Sequence, residues 1–170
     1  NALDADADQV HIRVTDNELG NPIEIEILDN GNGITVQEAE QAFGNLGGSW
    51  KRAHRETVGT RKKMHGRNGK GRFKAFALGH DVIWDTVFLE GSDKLLHHSI
   101  RGQASKLQYF EIKDVNPAPF GRHRGTRVLI SNLQDSLGVL AQDGSASRQR
   151  AEVFALYRHN YPATNITVRE

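Results

Sequence analysis

Apolar and polar positions alternate early in the chain. Val10, Ile12 and Val14 are separated by His11 and Arg13, the period-two pattern of a strand with one buried face. Gly20, Asn21 and Pro22 mark a turn, after which Ile23, Ile25 and Ile27 alternate with Glu24 and Glu26. Two such runs across a short turn predict an antiparallel hairpin. The second run stops at Asp29-Asn30-Gly31-Asn32-Gly33. Thr35 is placed to cap a short helix over 36–43, with Glu38 near its start. Residues 44–70 are polar, basic and glycine-rich, a loop of the length usually kept for function. A helix is expected from about Lys70 to Leu78, ended by Gly79, followed by a meander of strands near 81–90, 95–101 and 107–114. Residues 117–124 read as a loop, and Gly125 to Ile130 as a strand with Thr126, Val128 and Ile130 on one face. An exposed stretch over 135–148, a helix over 148–159 and a last strand at Ile166 and Val168 complete the pattern, while residues 1–7 read as the end of a helix. Strands in series with interspersed helices make a layered α+β fold.

The 170 residues suit a single domain, 1–170. No run of 18 apolar residues offers a membrane span, and zero cysteine excludes disulfides, thiolate zinc sites and a cysteine nucleophile. A cysteine-free chain without a signal-peptide pattern suggests a cytoplasmic home, and the missing initiator Met suggests a domain truncated at its N-terminus. The net charge of +1 hides an asymmetry: residues 1–50 carry ten acids and one base, residues 51–74 ten bases and one acid. A local basic block beside glycines points toward phosphate rather than toward general nucleic-acid binding.

Two glycine clusters hold the candidate chemistry. Asp29-Asn30-Gly31-Asn32-Gly33 follows a strand, and Gly66-Arg67-Asn68-Gly69-Lys70-Gly71 opens a helix. Glycine lets backbone N–H groups approach a ligand, and a glycine turn at a helix start aims several of them at one spot, which suits a polyphosphate. A P-loop fails, because Gly69-Lys70 is followed by Gly71 and Met64 occupies the position of the first glycine. A dinucleotide fingerprint fails at Val36, and a calcium loop from Asp29 fails because Gly31 and Gly33 occupy ligand positions. The eight histidines show no metal-ligand spacing, and Trp50 and Trp84 read as packing residues.

Asn1-Ala2-Leu3-Asp4-Ala5, Asp29-x-Gly31-x-Gly33, Gly66-x-x-Gly69-x-Gly71 and Gly125-Thr126 occur in the order that marks the GHKL ATPases. Over roughly residues 1–130 the chain resembles that superfamily: DNA gyrase, the ninety-kilodalton heat-shock chaperone, histidine kinases and MutL. Asn45-Leu46-Gly47 through Lys51 looks like the chaperone's approach to its nucleotide lid, so the chaperone-like or MutL-like branch is favoured. The resemblance implies the Bergerat fold, an α+β two-layer sandwich whose mixed, largely antiparallel sheet carries helices on one face, with ATP on the helical side.

It also implies roles. Asp29 would accept a hydrogen bond from the adenine amino group, with Thr126 joined to it through water and with Gly31 and Gly33 passing under the purine. Ala5 belongs to the same nucleotide-binding set, and Asp4 is a candidate partner near the adenine. Asn45 would reach sugar or phosphates, Lys51 and Lys70 would meet phosphate, and Gly66, Gly69 and Gly71 would wrap the triphosphate in a lid over about 44–71. Asn1 would hold Mg²⁺. The superfamily's general base is a Glu four residues before that asparagine, so no catalytic residue is expected within the chain. The function implied is Mg²⁺-dependent ATP hydrolysis, with lid closure coupled to a partner or to ATP-dependent homodimerisation; the client, protein or DNA, is not indicated. A nucleotide-responsive module without turnover and a histidine-kinase-type phosphotransfer domain are the alternatives.

Overall fold

The structure is a computed structural model that describes residues 2–44, 71–134 and 164–169. Its frame is one mixed sheet. Strands β1 (Gln9–Asp16) and β2 (Pro22–Asp29) form the expected hairpin, in register from Val10 opposite Asp29 to Thr15 opposite Glu24. Helix α1 (Val36–Phe43) starts where the sequence places it. Thr35 Oγ1 accepts from the Glu38 N–H at 3.3 Å, while Glu38 Oε2 accepts from the Thr35 N–H at 2.8 Å, so two otherwise orphaned amides are satisfied reciprocally.

The helix expected over 70–78 is shorter. One α-turn, α2 (Gly71–Lys74), tightens at once into a 3₁₀ turn at Ala75–Ala77, closed by the Leu78 N–H on the Ala75 carbonyl at 3.0 Å. The tightening follows from two anchors: Phe76 is buried in the core, and Gly79 is already the first residue of the next strand, opposite Leu133. Strands β3 (Gly79–Glu90), β4 (Lys94–Gln103) and β5 (Phe110–Ile112) make the meander; a 3₁₀ turn at Ala104–Lys106 lies between the last two, and β5 is shorter than the strand expected over 107–114. The two-residue β6 (Asn116–Pro117) pairs with β4. Strand β7 (Gly125–Leu133) runs antiparallel to both β3 and β2, and β8 (Asn165–Arg169) lies parallel to β1. The order is β5-β4-β3-β7-β2-β1-β8, mixed but mostly antiparallel. The segments expected over 135–148 and 148–159 and most of the 44–71 loop lie outside the described residues.

One face of the sheet is apolar and receives α1 and the Phe76 turn. Its core joins Ala39, Phe43, Phe76, Val82, Trp84, Ile100 and Ile130. Trp84 is a packing residue, as its strand context suggests: the Phe43 ring meets it edge-on at 4.9 Å between centroids, and the Phe76 and Phe110 rings each lie 6.1 Å away. The opposite face carries charge. Glu26 Oε1 accepts from Arg127 Nε at 2.5 Å, and Asp85 accepts from both His97 and Arg122. Burial alone would raise the Asp85 carboxyl, but those two hydrogen bonds hold it below the ordinary carboxylate value. Among the described residues no helix is long and apolar enough to cross a membrane.

Removing the Thr35 hydroxyl should test how far α1 depends on its cap. Thr35→Ala is expected to lower stability by about 1 kcal/mol in urea denaturation, with the slope unchanged. An unaltered midpoint would show that packing of Ala39 and Phe43 alone sets the helix start.

Candidate functional site

Strand register builds the site. On the helix-bearing face, Val128, Trp84 and Ile100 stand opposite one another across β7, β3 and β4. Two residues further along, the same alignment carries Thr126, Thr86 and His98. Asp29, at the end of β2, extends this polar row, because the Thr126 N–H donates to Asp29 Oδ1 at 3.2 Å. An apolar sheet face therefore ends in four buried polar side chains: Asp29, Thr126, Thr86 and His98, at 8%, 5%, 0% and 1% exposure.

Asp29 organises the turn that follows it. Its Oδ1 accepts a second hydrogen bond from the Gly31 N–H at 2.9 Å, and its Oδ2 has no partner among the described residues. Burial pushes its carboxyl above the ordinary value, while the Gly31 and Thr126 amides pull it back. The chain then crosses β3. Gly33 has φ +76°, and a Cβ there would lie 2.2 Å from the Val87 carbonyl oxygen. Gly125 is equally constrained on the other side: φ is +136°, and a Cβ would stand 2.0 Å from the Asp29 carbonyl oxygen. Gly31 packs against Ala5, whose carbonyl accepts from the Asn32 N–H at 2.7 Å, so Ala5 forms the back of the turn. Asn30 ties the turn to the start of β1, its Oδ1 accepting from the Asp8 and Gln9 amides at 3.1 and 3.0 Å.

The structure thus brings Ala5, Asp29, Gly31, Gly33 and Thr126 together. Gly71 is separate from that turn in sequence and opens α2. Asn1, Asn45, Lys51, Gly66, Gly69 and Lys70 lie outside the described residues. Thr126 engages its neighbours through two groups. Its backbone amide meets Asp29 directly, and its hydroxyl pairs with Thr86 Oγ1 at 3.1 Å.

Two members of the row, Thr86 and His98, were not singled out by the sequence motifs. Thr86 Oγ1 accepts from the Ile34 N–H at 2.8 Å and lies 3.4 Å from the Gly125 carbonyl oxygen. His98 Nε2 donates to the Ile34 carbonyl at 2.8 Å, which fixes the proton on that nitrogen, and Nδ1 has no partner among the described residues. The available signal was a Thr and a His interrupting apolar period-two rows: Val82, Trp84, Thr86, Phe88 on β3, and Leu96, His98, Ile100 on β4. Among the described residues no group of three His, Asp or Glu is placed to hold a metal.

Burial pushes the His98 imidazole below its ordinary value; the Ile34 hydrogen bond and Asp85 oppose the shift, and His97 adds to it. A depressed imidazole resists the proton that the unfolded chain accepts, so its contribution is intact above about pH 6.5 and is lost as pH falls toward the lowered value. Denaturation between about pH 7.5 and 5.5 should show a larger loss for the native chain than for His98→Gln. Equal losses would assign the acid sensitivity to other groups.

The family profile described as histidine kinase-, DNA gyrase B-, and HSP90-like ATPase matches residues 1–126. No curated protein sequence matches the chain. Among solved structures, the Aquifex aeolicus MutL ATPase domain complexed with ADP superposes with a TM-score of 0.53 at 17% identity, covering 99% of this chain and 54% of that one. The N-terminal domain of a DNA repair protein superposes with a TM-score of 0.55 at 22% identity, covering 99% of this chain and 44% of that one. The chain therefore spans about half the length of these structures and shares their fold, the mixed-sheet Bergerat arrangement. With the larger part of its length matched, the chain belongs to the histidine kinase-, DNA gyrase B- and HSP90-like ATPase family.

Proposed function

We propose that the chain is an ATP-binding domain that hydrolyses ATP with Mg²⁺ and couples its nucleotide state to a partner or to dimerisation. The observation that carries this reading is the half-used carboxylate of Asp29. Two amides hold Oδ1, which fixes the group's orientation, and Oδ2 is left as an acceptor. The adenine amino group supplies a donor for it; guanine carries a carbonyl oxygen at that position and is repelled. By the resemblance, Gly31 and Gly33 would let the backbone pass close under the purine. The Thr126 hydroxyl, beside the carboxylate and paired with Thr86, adds a second polar contact of adjustable donor direction.

The triphosphate would extend toward α2 and the basic segment before it. Gly66, Gly69, Gly71, Lys51, Lys70 and Asn45 are the proposed phosphate and sugar contacts, on sequence grounds and by family resemblance. Mg²⁺ would be held by Asn1 together with the phosphates, where it would offset their charge. Water activation is assigned by the resemblance to a Glu four residues ahead of Asn1. The ADP held by the MutL ATPase domain, which shares this fold, supports adenine-nucleotide binding here. Capture of nucleotide without phosphate release would favour the module without turnover, and label retained on the chain from labelled ATP would favour phosphotransfer.

Asp29→Asn keeps an oxygen for the two amides but turns an NH₂ toward the adenine amino group, setting donor against donor. Calorimetry with ATP should show affinity reduced roughly 100-fold or more, with the circular dichroism spectrum unchanged. Unchanged affinity in the folded variant would remove Asp29 from the site. Limited proteolysis supplies the second test: Mg²⁺ and a non-hydrolysable ATP analogue should protect the bonds between Lys51 and Arg72. Identical digestion with and without nucleotide would exclude a lid over 44–71.

A further inference from the structure

We propose that Thr86 and His98 are positioning residues for the nucleotide site, acting together on the backbone of Ile34. This rests on the adenine-nucleotide reading of Asp29. Ile34 comes directly after Gly33, whose φ of +76° only glycine adopts readily, and directly before Thr35, the cap of α1. A turn with two glycines has little stiffness of its own and needs an external restraint. Ile34 supplies the handle. Its N–H donates to Thr86 Oγ1 and its carbonyl accepts from His98 Nε2, both at 2.8 Å. The two side chains stand opposite each other on β3 and β4 and are wholly buried.

Both polar groups of one loop residue are therefore gripped by side chains projecting from the rigid sheet. Thr86 links this grip to the base-contacting end of the row, since the same hydroxyl meets Thr126 Oγ1. Mutual satisfaction of buried polar groups alone would also account for these bonds. The positioning role predicts something more: loss of either grip loosens the Gly31–Thr35 turn and weakens nucleotide binding in a chain that still folds.

Amide hydrogen exchange and ADP calorimetry on the full chain test this. In the native chain the Ile34 amide should exchange as slowly as the amides of β3. The near-isosteric Thr86→Val should weaken ADP binding about tenfold and speed exchange at residues 31–35, and Thr86→Ser should restore both. His98→Leu should act in the same direction, with His98→Gln rescuing because its amide can reach the Ile34 carbonyl. Asp29→Asn serves as the control. If that variant binds ADP normally, the reading of the site itself is wrong. If it loses binding while folded Thr86→Val and His98→Leu bind like the native chain, the site stands and the positioning role falls. Should Thr86→Val fail to fold, fast Ile34 exchange in the native chain still overturns the proposal, and slow exchange with speeding in His98→Leu upholds it.

Discussion

The contact on which the site depends is the pair of amide hydrogen bonds received by one oxygen of Asp29. Gly31 donates from within the turn and Thr126 from the neighbouring strand, so a single atom joins β2, the glycine turn and β7. A carboxylate brought this far out of water is costly unless its lone pairs are engaged. The two amides supply part of that compensation, both at the same oxygen. Glycine at 125 is a condition of the arrangement, because any side chain there would collide with the Asp29 carbonyl.

The polar row also explains how one sheet face serves two purposes. Rows passing through Val82 and Trp84 belong to a close-packed aromatic and aliphatic core beneath α1. The next alignment exchanges that packing for hydrogen bonds among Asp29, Thr126, Thr86 and Ile34. The apolar rows fix strand register, because a one-residue slip would send every side chain to the charged opposite face. Register in turn fixes which polar groups meet. Hydrophobic packing thus sets the geometry of the chemistry without touching it.

Much of this was legible in the residues. The hairpin, the Thr35 cap, the meander and the final strand follow from local alternation and turn residues, which short-range physics controls. The grouping of Asp29 with Gly31 and Gly33 was legible because the three are close in sequence, and Gly125-Thr126 because its order matches a family pattern. The shortening of the 70–78 helix was not, since it reflects tertiary anchoring of Phe76 and Gly79 over an acceptable helical sequence. Thr86 and His98 escaped notice for a related reason. Neither belongs to a motif, and each acquires meaning only when three strands are aligned and the Ile34 loop is laid across them.

The parallel pairing of β8 with β1 sets an order of events during folding. Gln9 faces Asn165, and the Asn165 N–H reaches the Asp8 carbonyl at 2.7 Å, so the outer edge of β1 is completed by chain that a ribosome makes more than 150 residues later. The β1–β2 hairpin can close early, but its exposed flank stays open for annealing with other strands until the distant segment arrives. A nascent domain of this topology spends most of its synthesis with an adhesive border, on which Arg13 sets a charge between apolar neighbours Ile12 and Val14.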